Sequence, residues 1–396
     1  MRRVPIALAL VFLAVSLAAQ QPQPNVPIPI QLESKILGET RNILVRTPAT
    51  YGTGAQSYPV LYLTDGDRQI DHLSALVDFL VREGRMPETI LVGITNTDRT
   101  RDLTPTRVAS QTFERQQFNT PTSGGADRFL DFIAQEVIAY VEKNYRTQPY
   151  RVFAGHSFGG LLAMHTAFTR PHLFNGVIAV SPTLTWDNRY VYRRAEEWAK
   201  TKASAPRTLV FSVGNEGAEL DREFDALQAL LKSRAPKSLE WKAVRFPDED
   251  HGSVALPTHY EGLRKVFEPF RFAIRPQDDP KTLYARASDH FAKASARVGF
   301  DVKVPEATAN LIGYRLLQSG DVPAAIEVFR KNADTYPQSA NVYDSLAEAY
   351  ERAGNLEDAK NNYERAATIG KRASDPNTRI YEQNLERVSK ALATKT

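Results

Sequence analysis

The chain has 396 residues, 42% of them hydrophobic and 24% charged, with a net charge of +4. Such proportions describe an ordinary globular chain long enough for two domains. No basic stripe with interleaved aromatics is present, which argues against nucleic acid as a partner. There is no cysteine, so disulfides, thiolate catalysis, iron–sulfur clusters and thiolate zinc sites are excluded.

Arg2 and Arg3 precede an apolar run from Val4 to Ala19, and the polar, Pro-rich stretch Gln20 to Pro24 follows. A positive head, a short apolar middle and small residues at Ser16, Ala18 and Ala19 predict a signal peptide over residues 1–20. The mature protein is then exported, periplasmic or secreted, with no stable membrane span after cleavage.

Paired strands are expected at Ser34 to Leu37 and Arg41 to Arg46, around a turn at Gly38-Glu39-Thr40. Tyr58 to Leu63 and Thr89 to Ile94 are continuous apolar runs, the pattern of strands buried on both faces of a parallel sheet. Between them, Asp71 to Arg85 carries helical periodicity. A polar loop, Asn96 to Pro105, leads into Thr104 to Gly125, which has little periodicity and reads as a long insertion over a site. Asp127 to Tyr145 is an amphipathic helix with Phe129, Phe132, Ile133, Val137 and Val141 on one face.

The short apolar run Arg151 to Ala154 then enters Gly155-His156-Ser157-Phe158-Gly159-Gly160, and a helical segment follows. A strand, Gly-x-Ser-x-Gly and a helix form the context of a nucleophile elbow, in which a sharp turn lifts the serine hydroxyl clear of the sheet. Further strands are expected at Gly176 to Val180, Thr208 to Val213 and Leu239 to Phe246, with helices near Val191 to Lys200 and Asp221 to Ser233. The fold class is therefore α/β, a doubly wound and mostly parallel sheet spanning residues 30–272.

Residues 273–281 have linker composition, and beyond them only helical periodicity is found. Residues 34 apart correspond: Ile312 with Leu346, Gly320 with Gly354, Ala325 with Ala359, Phe329 with Tyr363. That period is the tetratricopeptide signature, so residues 282–396 are expected to be an all-α repeat region. Its helix pairs are a candidate surface for a peptide or protein partner.

A serine needs a base to take its proton and an acid to orient that base. In doubly wound hydrolases the chain order is Ser, acid, His. His251 follows the last strand of the sheet and is the expected base. Glu216, after the strand Thr208 to Val213, is the expected acid, with Glu219 and Asp221 as alternatives. The oxyanion hole needs two N–H donors: Phe158, directly after the serine, and Gly66 or Asp67, in the turn after Tyr58 to Leu63, with Asp67 preferred. No His/Asp/Glu set has metal-ligand spacing, and no cofactor is expected.

Several stretches carry a family likeness: Tyr58-Pro-Val-Leu-Tyr-Leu-Thr-Asp-Gly-Asp67, Arg101-Asp-Leu-Thr-Pro105, Ser123 to Leu130, Gly155 to Gly160, Ser181-Pro-Thr-Leu-Thr-Trp186 and Asp250-His251-Gly252. The chain resembles the Fes/esterase D-like branch of the α/β-hydrolases, which holds siderophore, feruloyl and acetylxylan esterases. The His-Gly common at the first turn of other members is Asp65-Gly66 here. The resemblance implies a serine carboxylic-ester hydrolase working through an acyl-enzyme on a small-molecule ester. It also implies a substrate wall at Trp186 and an anion contact at Arg99 or Arg101, and it leaves open a Ser–His dyad without an acid. The rival reading is an idle hydrolase scaffold whose repeats bind the partner.

Overall fold

The computed structural model describes residues 25–52, 56–113, 116–200 and 208–394; the expected signal peptide lies outside them. In chain order the first part runs β1 (Ile28–Ser34), β2 (Glu39–Arg46), β3 (Tyr58–Leu63), α1 (Gly66–Arg82), β4 (Ile90–Ile94) and α2 (Arg99–Leu103). A hairpin, β5 (Ser110–Phe113) with β6 (Gln116–Asn119), precedes α3 (Ala126–Phe132), a π turn (Ile133–Val137) and α4 (Ile138–Asn144). Then come β7 (Thr147–His156), α5 (Phe158–Thr169), β8 (Gly176–Val180), α6 (Trp186–Lys200), β9 (Thr208–Val213), α7 (Ala218–Arg234), β10 (Glu240–Arg245) and α8 (Ala255–Val266).

One eight-stranded sheet has the order β1-β2-β4-β3-β7-β8-β9-β10. The pairs β1–β2 and β2–β4 are antiparallel, and the rest are parallel. Every residue of β3, β4, β8 and β9 is buried, because helices cover both faces of a parallel sheet. The parallel strands all end on one edge, so Asp65, Ser157, Ser181, Glu216 and His251 are delivered to the same side. This is the α/β-hydrolase architecture expected.

Three local expectations are corrected. The first strand lies at Ile28–Ser34, not Ser34 to Leu37, with Ser34 opposite Glu39 across a turn closed by Gly38 at φ 75°. Prolines 27 and 29 hid its period-two pattern, and Pro29 is tolerated because β1 is an edge strand. The polar loop contains helix α2, capped by the Asp98 carboxylate, which accepts the Arg101 N–H at 3.0 Å. The insertion is not structureless, since it holds the β5–β6 hairpin, whose ends are tied by Thr120 and Ser123 hydroxyls donating to the Val108 carbonyl.

The remaining helices are α9 (Pro280–Val298), α10 (Glu306–Gln318), α11 (Val322–Thr335), α12 (Ala340–Arg352), α13 (Leu356–Ala373) and α14 (Thr378–Ala393). Helices α12 and α13 begin 34 residues after α10 and α11. Gly320 and Gly354 close the two helix turns at φ 83° and 78°, a conformation that only glycine adopts without strain. Ala325 and Ala359 are fully buried where the paired helices meet. Helix α9 also joins the first unit: Val298 enters the core below the sheet, and Arg297 meets Glu240 at 2.6 Å. No described helix is long and apolar enough to cross a membrane.

Candidate active site

Ser157 sits between β7 and α5 with φ 62° and ψ −115°, a strained backbone that costs about 1–3 kcal/mol. Its N–H donates to the Val180 carbonyl at 3.0 Å and its carbonyl accepts the Leu161 N–H at 2.8 Å, pinning the turn to β8 and to the helix. The turn closes only because side chains are absent around it. A Cβ at Gly155 would collide with the Gly159 carbonyl, and one at Gly160 would come within 2.7 Å of the Val180 carbonyl.

Glu216 is the carboxylate brought to His251, and it is 3% exposed. Its Oε2 meets His251 Nδ1, while its Oε1 accepts from the Ser181 hydroxyl at 2.5 Å and the Gly214 N–H at 2.9 Å. Burial alone pushes this carboxyl up, but the hydrogen bonds from His251, Ser181 and Gly214 together outweigh it and hold the group below the ordinary carboxylate range. The other two carboxylates go elsewhere: Asp221 pairs with Arg245 and Glu219 lies exposed on α7. With Nδ1 committed to a carboxylate as donor, Nε2 of His251 carries the lone pair that can take a proton.

The acid and base loops are tied together, since the Asn215 N–H donates to the Glu249 carbonyl at 2.7 Å. The base loop is shaped by Asp250, whose carboxylate accepts the N–H groups of Gly252 at 2.8 Å and Ser253 at 2.7 Å. Two other histidines later in the chain than the elbow are occupied differently. His259 is buried in α8 against His72, with ring nitrogens 3.1 Å apart, and His290 packs between Phe272 and Phe291.

Phe158 and Asp67 both stand in the first turn of a helix, α5 and α1, where N–H groups have no intrahelical acceptor. The turn before Asp67 is held by Asp65, in the left-handed region at φ 53°. The Asp65 carboxylate accepts from Arg99 Nε at 2.6 Å, Arg99 Nη2 at 3.1 Å and Asn96 Nδ2 at 2.6 Å. Arg99 Nη2 also donates to the His156 carbonyl at 3.1 Å, and its guanidinium lies 5.4 Å from the Phe158 ring centre. Among the described residues no three His, Asp or Glu side chains gather as a metal would require.

Two substrate-side expectations change. Trp186 is fully buried, not a wall open to solvent: its ring packs edge-on to Phe158 at 5.4 Å, and its Nε1–H donates to the Thr106 hydroxyl at 2.9 Å. It fastens the insertion to the elbow. The Arg101 side-chain nitrogens all donate to carboxylates, Nε to Asp102 and both terminal nitrogens to Glu39. These carboxylates raise its already high pKa further. Its role is to clamp α2 together with the buried Arg41–Asp102 pair at 2.6 Å. The arginine at the elbow is Arg99. Sequence reasoning also passed over two polar residues that the geometry brings in, His156 and Ser181. Their signal was present, since one is the variable residue of the elbow motif and the other opens the Ser181-Pro182 loop after β8.

The sheet order, the serine elbow and the carboxylate-bound imidazole beyond β10 define the chain as an α/β-hydrolase. It belongs to the esterase family described as "Putative esterase", whose model matches residues 34–251. It is thus an enzyme of carboxylic-ester hydrolysis. Ferri-bacillibactin esterase BesA of Bacillus subtilis is 27% identical over 266 residues, covering 62% of this chain and 88% of that protein. The siderophore triacetylfusarinine C esterase of Aspergillus fumigatus is 41% identical over 176 residues, 38% of this chain and 60% of that one. The crystal structure of an IroE-like serine hydrolase from Shewanella oneidensis superposes with a TM-score of 0.68 at 29% identity, over 78% of this chain and 99% of that one.

Proposed function

We propose that the chain is an exported serine esterase that cleaves siderophore-type esters, with aromatic-acid and sugar esters as the neighbouring substrate classes. The reading rests foremost on one observation: a buried Glu216 holds His251 by Nδ1 on the sheet edge that carries the strained Ser157. In this mechanism Ser157 Oγ attacks the ester carbonyl while His251 Nε2 takes its proton. The Phe158 and Asp67 N–H groups hold the oxyanion of the tetrahedral intermediate. Collapse expels the alcohol, which takes the proton from His251, and leaves an acyl-Ser157 ester. Water then attacks that ester, again losing its proton to His251, and the acid and free serine are released. Glu216 stays ionised throughout and stabilises the imidazolium.

The siderophore class is favoured because two relatives bear siderophore-esterase names. The helices beyond residue 282 are read as tetratricopeptide-type pairs that offer a surface to a peptide or protein partner. The test is hydrolysis of p-nitrophenyl acetate and of a catecholate trilactone by wild type and Ser157→Ala. Loss of about a thousandfold or more in kcat is expected for both esters. Equal rates in the two proteins overturn the reading. Faster turnover of feruloyl or acetyl-sugar esters than of the trilactone overturns the substrate assignment alone.

A further inference from the structure

Residue 156 lies between the strand and the nucleophile, and in an elbow motif its side chain is free to vary. Here it reaches across to the base. His156 Nε2 is 2.6 Å from the carbonyl oxygen of His251, and the two rings lie 4.8 Å apart at 37°. A carbonyl has no hydrogen to give, so Nε2 of His156 is the protonated nitrogen.

We propose that His156 is a positioning residue for the base: its Nε2–H grips the His251 backbone, so the nucleophile's own chain neighbour sets where the base ring stands. The inference rests on the esterase reading above and adds a member to that site. The ties of the His251 loop to Glu216, to Asn215, to the Ser181 hydroxyl at 3.2 Å and within the Asp250 turn come from the β8, β9 and β10 side of the site. His156 adds a tie from the β7 side, between the serine and the base. It is itself held from behind, because its carbonyl accepts from Arg99 Nη2.

The electrostatic setting suits a fixed neutral donor. Burial, and next the neighbouring His251, push the His156 imidazole down to about 4. The hydrogen bond to the His251 carbonyl and then Asp65 oppose that shift, while Arg99 adds to it. Behind it, His259 on α8 and His72 on α1 are also held below the ordinary histidine range, chiefly by burial. At working pH the ring is therefore a hydrogen-bond donor without charge. It orients His251 without competing for the serine proton.

The experiment is steady-state hydrolysis of p-nitrophenyl acetate across pH 5–9 by wild type, His156→Phe, His156→Leu and His156→Gln, with Ser157→Ala alongside. Phe and Leu remove the donor. Gln places an amide N–H near the position of the imidazole Nε2–H. An error of about 1 Å in placing a reacting group costs on the order of a hundredfold. We expect Phe and Leu to lower kcat ten- to a hundredfold with KM within twofold, and Gln to return to within about threefold of wild type. The acid limb of the kcat/KM profile stays in place for Gln, since one neutral donor replaces another. Thermal melting establishes that each variant is folded.

Wild-type kcat in folded Phe or Leu variants overturns the inference, as does a Gln variant no better than Phe. A displaced acid limb in Gln makes His156 a titrating participant and equally overturns the positioning role. If Ser157→Ala retains turnover, the esterase reading falls and this inference with it. If Ser157→Ala is dead while Phe and Leu are fully active, only this inference falls.

Discussion

Replacing Glu216 with glutamine separates a triad from a dyad. The carboxylate serves three donors at once: Oε2 faces His251, and Oε1 takes the Ser181 hydroxyl and the Gly214 N–H. A carboxamide of the same shape has one acceptor oxygen. If that oxygen stays with the two fixed donors, its NH2 group faces His251 Nδ1 and forces the imidazole proton onto Nε2. In that tautomer the base cannot accept a proton from Ser157. The part-exposed imidazolium also loses its buried counter-charge in the transition state. Removing one partner of a buried charge pair costs about 3–5 kcal/mol, and each 1.4 kcal/mol is tenfold in rate. Solvent at the part-exposed ring brings this toward the lower bound, so the expected fall in kcat is about two orders of magnitude, with KM little changed. Initial rates on p-nitrophenyl acetate, with melting to establish folding, provide the measurement. A Glu216→Gln variant within fivefold of wild-type kcat refutes the triad and reduces Glu216 to a structural tie for Ser181 and the loop after β9.

Two further outcomes follow from the same geometry. Arg99→Lys replaces a fork that spans both Asp65 oxygens and the His156 carbonyl with a single ammonium that cannot reach all three. It should cost about 1–2 kcal/mol, a few degrees in Tm, and lower kcat about tenfold; unchanged melting and turnover would show that the bridge is dispensable. Stability should also fall on acidification below the ordinary histidine value of 6.5. His156 binds a proton only near 4 in the folded chain, whereas the unfolded chain binds one near 6.5. The unfolded state thus gains protons first as pH drops between those values, and this group alone removes roughly 3 kcal/mol. The depressed Glu216 carboxyl acts in the same direction: its contribution is present above the unfolded carboxylate value and lost as pH falls through the folded one. A thermal midpoint that stays flat from pH 7 to pH 4 contradicts the His156 assignment, and one that stays flat as pH falls below the ordinary carboxylate value of 4.5 contradicts that of Glu216.

The elbow was legible because its demands are local. Tight strand-to-helix closure needs small residues at Gly155 and Gly160, and their spacing from Ser157 can be read without a fold. Glu216 and His251 were legible at one remove, through chain order, since a parallel sheet brings the end of every strand to one edge. Burial of a loop aromatic has no comparable local mark. Trp186 follows a polar loop, and only the fold sets Phe158 and Thr106 against it. Arg99 and Arg101 differ by two positions in the same short helix, and their separate fates depend on Asp65 and Glu39, far back in the chain. The first strand was misplaced because its prolines are breakers in a central strand but harmless at an edge.

Those long-range pairings also explain how a strained serine is kept. Asp65 orders the turn after β3 and accepts from Arg99, Arg99 holds the carbonyl of His156, and the ring of His156 holds the carbonyl of His251. The turn that carries the Asp67 N–H, the nucleophile elbow and the base loop are thereby one hydrogen-bonded series. On the far side Glu216 joins His251 to Ser181 and the loop after β9, and Asn215 joins that loop to the base loop. A backbone such as that of Ser157 persists only where its surroundings over-determine it. Here the restraints arrive from both sides, from β3 and β4 on one flank and from β8 and β9 on the other. Loosening any one link should therefore register at the base before it registers in the fold: Arg99 and His156 sit at successive links, and their variants should share a loss of kcat greater than their loss of stability explains.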